Sequence, residues 1–190
     1  MKLVLISLLF ILTSCAEKYG IIGGAQKSTV YYETTSWDYS MGFESYEIDY
    51  KNKSDTYFIG MSFENDIFIG KFSYFKSSYK DKLIDENGTD QIAKYNENGF
   101  ELTYSFPYKW LQPLAGVRLI KNDFESSNQS SFERTLFFVI GLDVEYKFNE
   151  RFALYAGYHY DIEMMFLYSS ANDEKKYHSN IVAGFRFIVF

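Results

Sequence analysis

His159, Asp161 and Glu163 stand at alternate positions near the C-terminal end of the sequence and could do acid–base chemistry. In an extended strand, residues two apart point to the same face, so these three side chains would lie side by side. An imidazole among carboxylates is a possible acid–base site. The alternative is an ordinary network of ion pairs. The basic residues available for such pairs are Lys71, Arg118, Lys147 and Arg186.

His178, Ser179 and Asn180 are a second group of residues whose types suggest a hydrolase. They resemble the histidine, serine and asparagine that outer-membrane lipid A deacylases use near the end of the chain. Here the histidine and the serine are adjacent, so in a strand they would point to opposite faces. No acidic residue follows Ser179. The pattern therefore argues against this enzyme, and we predict no catalytic residue.

The polar run at residues 85–90 superficially resembles a calcium-binding loop. Its glycine, Gly88, stands at the wrong position for such a loop. A solvated turn is the better interpretation. We accordingly predict neither a metal ion nor a cofactor for this chain.

The elements that must position these side chains are long strands with strict alternation. Residues 134–148 and 152–164 each carry apolar side chains at every second position, and a polar turn at 149–151 joins them. Half-buried strands of soluble proteins usually have about 5 or 6 residues. A tilted strand that crosses a hydrocarbon layer needs about 10 residues with an apolar outer face, and it tolerates charges on its inner face. The hairpin therefore predicts two strands of an outer-membrane β-barrel.

The inner faces of the predicted strands carry a network of charged side chains. It comprises Glu101, Arg118, Asp143, Glu145, Lys147, His159, Asp161, Glu163 and Arg186. Unpaired charges in a narrow lumen would be costly, and long side chains there must interleave. We therefore favour ion pairs over an acid–base site, and we predict a plugged barrel that does not conduct.

An export signal is predicted at the N-terminus. Lys2 precedes an apolar run at residues 3–12 that only Ser7 interrupts, and small residues follow. We predict a signal peptide at residues 1–16 and a single barrel domain at 17–190. Two cleavage sites remain open, one before Glu17 and one after Ser14, where Cys15 would be acylated as in a lipoprotein. Cys15 is the only cysteine, so no internal disulfide is possible.

The composition agrees with an exported barrel. Aromatic residues make up 21% of the chain, charged residues only 23%, and there are 2 prolines. Such a composition suits strands whose aromatic side chains lie at membrane–water interfaces. After the signal no apolar run is long enough to predict a transmembrane helix. A net charge of -6 without a basic stripe argues against nucleic acid as a partner.

The remaining strands are predicted from further alternating segments. These lie at residues 19–32, 42–50, 56–64, 67–76, 99–106 and 113–121, and a last strand ends at Phe190. With the central hairpin they give nine candidates, whereas an up-and-down barrel with both termini in the periplasm needs an even number. Assigning 42–50 to a long first loop leaves eight strands, which we prefer. Dividing 19–32 into two short strands gives ten.

Connections of two lengths alternate along the chain. Short turns are predicted at Asn65-Asp66, 107–110 and 149–151, and long polar loops at 77–97, 122–133 and 169–176. Asn65-Asp66 suits a two-residue hairpin, and the similar sequences around it and around Asn149 predict one kind of turn. Short turns on the periplasmic side and long loops outside are typical of bacterial barrels.

The Gly- and aromatic-rich first strand, the VEYKFNERFALYAGYHY hairpin and the closing strand together carry a family resemblance. They resemble the small outer-membrane β-barrel proteins, similar to OmpX, the OmpA transmembrane domain and the opacity-type surface proteins. The resemblance implies the outer membrane of a Gram-negative bacterium. It also implies that the barrel-assembly machinery recognises the last strand through alternating apolar residues and a terminal aromatic. The candidates are Ile181, Ala183, Phe185, Phe187 and Phe190, and either of the last two phenylalanines could close the signal.

Three classes of function follow from a barrel of this kind. The first is a structural or surface-interaction role, in which the long polar loops meet an unidentified surface ligand. The second is a narrow channel, and the third is a lipid A deacylase-like enzyme. We expect a monomer in contact with outer-membrane lipid.

Overall fold

A computed structural model describes residues 16–35, 50–84, 90–125, 130–164 and 173–189, which form a closed antiparallel barrel. Its eight strands are β1 (Lys18–Thr35), β2 (Tyr50–Glu64), β3 (Ile69–Ile84), β4 (Asp90–Ser105), β5 (Leu111–Glu125), β6 (Ser130–Lys147), β7 (Phe152–Glu163) and β8 (Asp173–Ile188). Each strand pairs with its neighbours in sequence, and β1 pairs with β8. The preferred prediction of eight strands is confirmed.

No helix in the described part of the chain is long and apolar enough to span a bilayer.

Several predicted loops are strands in the structure. The β3–β4 ladder continues through Ser77 opposite Glu97 to Ile84 opposite Asp90, and the β5–β6 ladder reaches Glu125 opposite Ser130. The predicted loops at 77–97 and 122–133 were therefore wrong over most of their length. Backbone hydrogen bonds hold such hairpins together. Because both faces of these extensions can be exposed to water, their strands need no apolar side chains, and the alternation that predicts a strand is absent.

Two further boundaries differ from the prediction. Strand β2 begins at Tyr50 and not at residue 56, so the end of the predicted loop arm at 42–50 belongs to the barrel wall. Strand β8 begins at Asp173, inside the predicted loop at 169–176. The other residues of the arm and the first part of that loop lie outside the described residues.

Two of the three short turns use an asparagine side chain in the same way. Asn65 Oδ1 accepts hydrogen bonds of 2.9 Å from the backbone N–H groups of Ile67 and Phe68. The Asn149 turn, described next, uses its asparagine in the same way, so the predicted likeness of the two turns is confirmed. The prediction that Asn65-Asp66 forms a two-residue loop was wrong. The strands end at Glu64 and resume at Ile69, so the connection has four residues.

The second asparagine turn joins β6 to β7. Asn149 Oδ1 accepts hydrogen bonds from the backbone N–H groups of Arg151 and Phe152, at 2.9 and 2.8 Å. Asparagine favours such turns because its side chain is short enough to replace a backbone acceptor.

The third turn joins β4 to β5. Tyr108 and Leu111 exchange backbone hydrogen bonds of 2.7 and 3.0 Å, with Lys109 and Trp110 between them. Lys109 has a φ of 59°, and it is the only non-glycine among the described residues with a positive φ. We call the end of the barrel that carries these three turns the short-turn end, and the opposite end the long-hairpin end.

Alternation separates the two faces of the wall as predicted for β6 and β7. On β6, Leu142 is 42% and Val144 43% exposed, whereas Asp143 is fully buried in the lumen. On β7, Leu154 and Tyr158 face outward, in contrast to the buried inner face. We call the outward-facing apolar side chains the apolar belt. It includes Ile21, Ile59, Met61, Tyr74, Phe100, Leu119, Leu136, Phe138, Ile140, Leu142, Val144, Leu154, Tyr158, Ile181 and Phe185.

A small apolar cluster fills the lumen toward the long-hairpin end. Phe75, Ile120 and Phe137 are buried against one another, and Phe58 packs against them. The guanidinium of Arg118, described below, lies against this cluster, 5.2 Å from the ring centroid of Phe75.

Candidate functional site

Arg118 on β5 is the centre of a polar cluster in the lumen. Its Nη1 donates to Asp161 Oδ2 on β7 at 2.5 Å, and its Nη2 donates to Gln26 Oε1 on β1 at 3.0 Å. Its Nε donates to Glu101 Oε2 on β4 at 2.6 Å, and Nη2 contacts the same oxygen. The guanidinium is 3% exposed and connects strands on different sides of the barrel.

Further polar groups extend this cluster toward β8. Gln26 Nε2 donates to Ser28 Oγ at 2.8 Å and to Asn180 Oδ1 at 2.9 Å. His178 Nδ1 lies 3.7 Å from Asp161 Oδ2, and its ring centroid is 4.7 Å from that of Phe137. The arginine therefore lies within a continuous set of buried polar side chains that runs from β4 around to β1.

Asp143 on β6 is the centre of a second cluster. Lys71 Nζ on β3 donates to Asp143 Oδ2 at 2.6 Å, and His159 Nε2 on β7 lies 2.8 Å from Asp143 Oδ1. The Lys71 ammonium also lies 4.0 Å from the ring centroid of Tyr155. A buried carboxylate needs such partners because an unpaired charge in the lumen would be costly.

Arg186 on β8 is the centre of the third cluster, near the short-turn end. It binds both carboxylate oxygens of Glu145 on β6, at 3.2 and 2.7 Å, and its Nη1 also contacts Glu64 on β2. Lys147 Nζ lies 3.7 Å from Glu64 and 4.0 Å from Glu145, and its side chain is 54% exposed. This cluster is therefore the one open to water.

Eight of the nine residues predicted for the lumen fall into these three clusters. The first cluster contains Glu101, Arg118 and Asp161, the second Asp143 and His159, and the third Glu145, Lys147 and Arg186. Glu163 is half-buried two residues beyond Asp161 on β7. Lys71 was predicted only as a possible partner.

Sequence analysis missed Glu64 and Gln26 as network members. Glu64 alternates with the inward-facing Ser62, and Gln26 with Ile22 and Ser28, so the period-two pattern was present in both strands.

Little space remains between these side chains. A cavity of about 20 Å³ is lined by Lys71, Glu101, Arg118, Asp143, Tyr155 and His159 among others. This volume is close to that needed for a single water molecule. This cavity therefore has no room for an organic substrate.

The other sites predicted from the sequence lie only partly within the described residues. His178 and Asn180 are buried in the lumen, whereas Ser179 points outward, so the hydroxyl and the imidazole lie on opposite sides of the wall. Among the described residues, no group of three or more His, Cys, Asp or Glu is placed to hold a metal ion. Cys15, Phe190 and most of the 85–90 run lie outside the described residues.

The strand proposed as an assembly signal has the expected outer face. Ile181, Ala183, Phe185 and Phe187 all face outward and are exposed. Recognition by the assembly machinery remains a prediction.

No protein-family model matches the sequence, and no curated protein does. Among solved structures, Neisserial surface protein A is similar with a TM-score of 0.51 and 18% identity, over 88% of this chain and 96% of that one. The outer membrane protein OprG from Pseudomonas aeruginosa is similar with a TM-score of 0.54 and 10% identity, over 92% and 97%. At these identities the comparison establishes the fold alone. The chain has the fold of the small outer-membrane β-barrels.

Proposed function

We propose that this protein is a plugged β-barrel of the outer membrane, with a structural or surface-interaction role carried by its extracellular hairpins. The observation that carries this proposal is the lumen itself. Arg118, Asp143 and Arg186 each hold partners from non-neighbouring strands, so the ion pairs act as cross-links through the interior.

The apolar belt supports a membrane location. Large apolar side chains such as Ile59, Met61 and Ile181 are each more than half exposed on the outer wall. A contiguous apolar surface of this kind is unfavourable in water and suits a hydrocarbon layer. At the short-turn end a group of exposed aromatic side chains has the position of an interfacial girdle. It consists of Phe106, Tyr108, Trp110, Tyr146 and Phe148.

The filled lumen favours a plug over a channel. An eight-stranded barrel has an interior just wide enough for side chains. Here the buried guanidinium of Arg118 reaches partners on β1, β4 and β7, and the cavity beside it measures about 20 Å³. Hydrated ions would have to break these pairs in order to pass.

The long hairpins support a role in surface interaction. The β3–β4 ladder continues for eight residue pairs beyond Lys76 and Asn98, as far as Ile84 and Asp90. At about 3.4 Å per residue this is a ribbon of roughly 25 Å along the strand direction. Its sequence is rich in Ser, Lys, Asp, Asn and Glu, which suits a surface exposed to water and to a polar partner.

Fractionation and electrical recording test the proposal together. We expect the protein in the outer-membrane fraction, with faster gel migration before boiling than after it, because a closed barrel resists detergent until heated. In planar bilayers we expect no steady conductance of the size of general porins. Recovery in the soluble periplasmic fraction would contradict the membrane location. Stable, large and reproducible channels would instead show that the protein is a porin and not a plugged barrel.

A further inference from the structure

The ion pairs around Arg118 contain more carboxylates than cations. Arg118 Nη1 lies 2.5 Å from Asp161 Oδ2, and the same guanidinium contacts the carboxylate of Glu101. Among the described side chains, no second lysine or arginine forms an ion pair with either carboxylate. We call these three residues the Arg118 triad. One guanidinium and two carboxylates leave the triad with one uncompensated negative charge.

His178 on β8 is placed to balance this charge. It stands directly opposite Asp161 in the β7–β8 ladder, and its Nδ1 lies 3.7 Å from Asp161 Oδ2. This distance is too long for a direct hydrogen bond but short enough for attraction between a protonated ring and the carboxylate. The side chain of His178 is 4% exposed and that of Asp161 is fully buried, so water screens the two groups little.

The other neighbours of His178 lie on four strands. Val30 stands opposite it on β1, and the ring centroid of Phe137 on β6 lies 4.7 Å from that of the imidazole. The flanking positions on the same face of β8 are Asn180 and Lys176. Beyond the triad, the described carboxylates on this side of the lumen are Glu163 of β7 and Glu97 of β4, and each has contacts of its own. The charge nearest to the imidazole on the neighbouring strands is therefore that of Asp161.

Two opposing effects decide whether the buried imidazole of His178 carries a proton. Burial disfavours the charged ring, because the ring loses its hydration. An uncompensated carboxylate in the same buried site is also costly, and an opposite charge within about 4 to 6 Å favours the protonated ring. Here one added proton removes the excess charge of the triad, so we expect the second effect to prevail.

We propose that His178 is an acid-responsive lock, which is protonated in the folded barrel at mildly acidic pH and then stabilises the closed state. The lock connects β8, the strand that closes the barrel against β1, to Asp161 and through it to Arg118 on β5. Its stabilisation is present at low pH and is lost as the pH rises and the ring loses its proton. This property goes beyond the surface role proposed above and does not depend on it.

Urea titration of the gel shift in phosphatidylcholine vesicles, at about pH 5.5 and about pH 8, tests the lock. Histidine is the side chain whose ordinary titration lies in this range, and the chain has 2 histidines. We expect the unfolding equilibrium constant of the parent to be about tenfold smaller at the lower pH. His178→Gln should lose most of this difference. His159→Gln, the matched control, removes the other histidine and should keep it.

Asp161→Asn tests the partner of the imidazole. It removes one carboxylate of the triad and should therefore also lose the pH difference. A difference that persists in Asp161→Asn would overturn the proposal. Equal pH dependence in the parent and in His178→Gln would overturn it too, as would a loss confined to His159→Gln.

NMR gives a direct readout that does not require His178→Gln to fold. In untagged His159→Gln the only imidazole is that of His178, so ring-labelled protein in detergent micelles reports its charge without further assignment. We expect the charged form at about pH 5.5 and the neutral form at about pH 8. A ring that is neutral at both values would overturn the proposal.

Discussion

The guanidinium of Arg118 reaches across the lumen to the carboxylate of Asp161, with 2.5 Å between Nη1 and Oδ2. In the ladders, Arg118 is opposite Phe137 on β6, and Phe137 is opposite Glu163 on β7. The two side chains therefore belong to strands that are not neighbours, and they meet only because both point inward. Pairs of this kind hold the closed barrel together from the inside.

Loss of the Arg118 charge should destabilise the barrel strongly. Arg118→Met leaves the carboxylates of Glu101 and Asp161 without their main cation in a buried site. Removal of one partner from a buried pair typically costs about 3 to 5 kcal/mol. The free energy of unfolding, measured by urea titration of the gel shift in vesicles, should fall by about that amount. Adding Glu101→Leu and Asp161→Leu to Arg118→Met should restore part of it. If the triple variant were less stable than the single one, uncompensated charge would not be the cause.

A charged side chain placed in the apolar belt should lower the free energy of unfolding, whereas the same charge beyond the belt should not. Leu142 is 42% exposed on β6, inside the belt and flanked on its face by Ile140 and Val144. Leu142→Arg should lower the free energy of unfolding by about 2 to 4 kcal/mol because it places a cation near the bilayer midplane. Ser78→Arg, at an exposed position on β3 beyond the apolar belt, is the matched control and should change this free energy little. Equal costs in vesicles would show that the belt does not face lipid.

Gly157 should tolerate no side chain. It is opposite Asp143 in the β6–β7 ladder, and a Cβ at this position would lie 2.0 Å from Asp143 Oδ1 and 2.7 Å from the Leu142 carbonyl oxygen. Gly157→Ala should therefore displace Oδ1 of Asp143 from His159, and with it the carboxylate from Lys71, and destabilise the barrel by about 1 to 3 kcal/mol, as overpacking does. Gly23→Ala is the control, because its Cβ would meet the edge of the outward-facing Phe185 ring at 3.0 Å and the Phe58 carbonyl oxygen at an ordinary 3.6 Å. The two unfolding midpoints should separate clearly, and coincident midpoints would exclude a special role for Gly157.

The two asparagine turns should respond alike to truncation. Asn65→Ala and Asn149→Ala each remove two hydrogen bonds from a side-chain oxygen to backbone N–H groups. Each should cost about 1 kcal/mol, since a hydrogen bond contributes about 0.5 to 1.5 kcal/mol net and these turns are exposed. Asp66→Ala and Glu150→Ala, at the next position of each turn, serve as controls. A loss in only one of the two turns would argue against their equivalence.

The two predicted sites of signal cleavage have different consequences for Cys15. Cleavage after Ser14 leaves Cys15 as the acylated first residue, and cleavage before Glu17 removes it. If Cys15 is acylated, Cys15→Ser should abolish incorporation of a labelled fatty acid while the barrel still folds. The parent protein is the control. A parent without label would show that cleavage occurs before Glu17 at an ordinary signal-peptidase site.

The sequence by itself determined the two faces of the wall. In β6 and β7 every second residue is apolar, and since successive side chains of a strand point to opposite faces, this pattern needs no knowledge of the neighbouring strands. For the same local reason it determined the likeness of the Asn65 and Asn149 turns and the inward direction of Arg118, Asp143 and His159.

Only the tertiary structure decided which inward residues meet. Closure and stagger of the barrel place Gln26 of β1 against Arg118 of β5, and no local pattern specifies that distance. Ladder register likewise aligned Lys76 with Lys121 and Arg134 in one row. The tertiary structure also decided how far the strands extend beyond the apolar belt. Backbone hydrogen bonds continue the hairpins there, although their side chains do not alternate between apolar and polar residues.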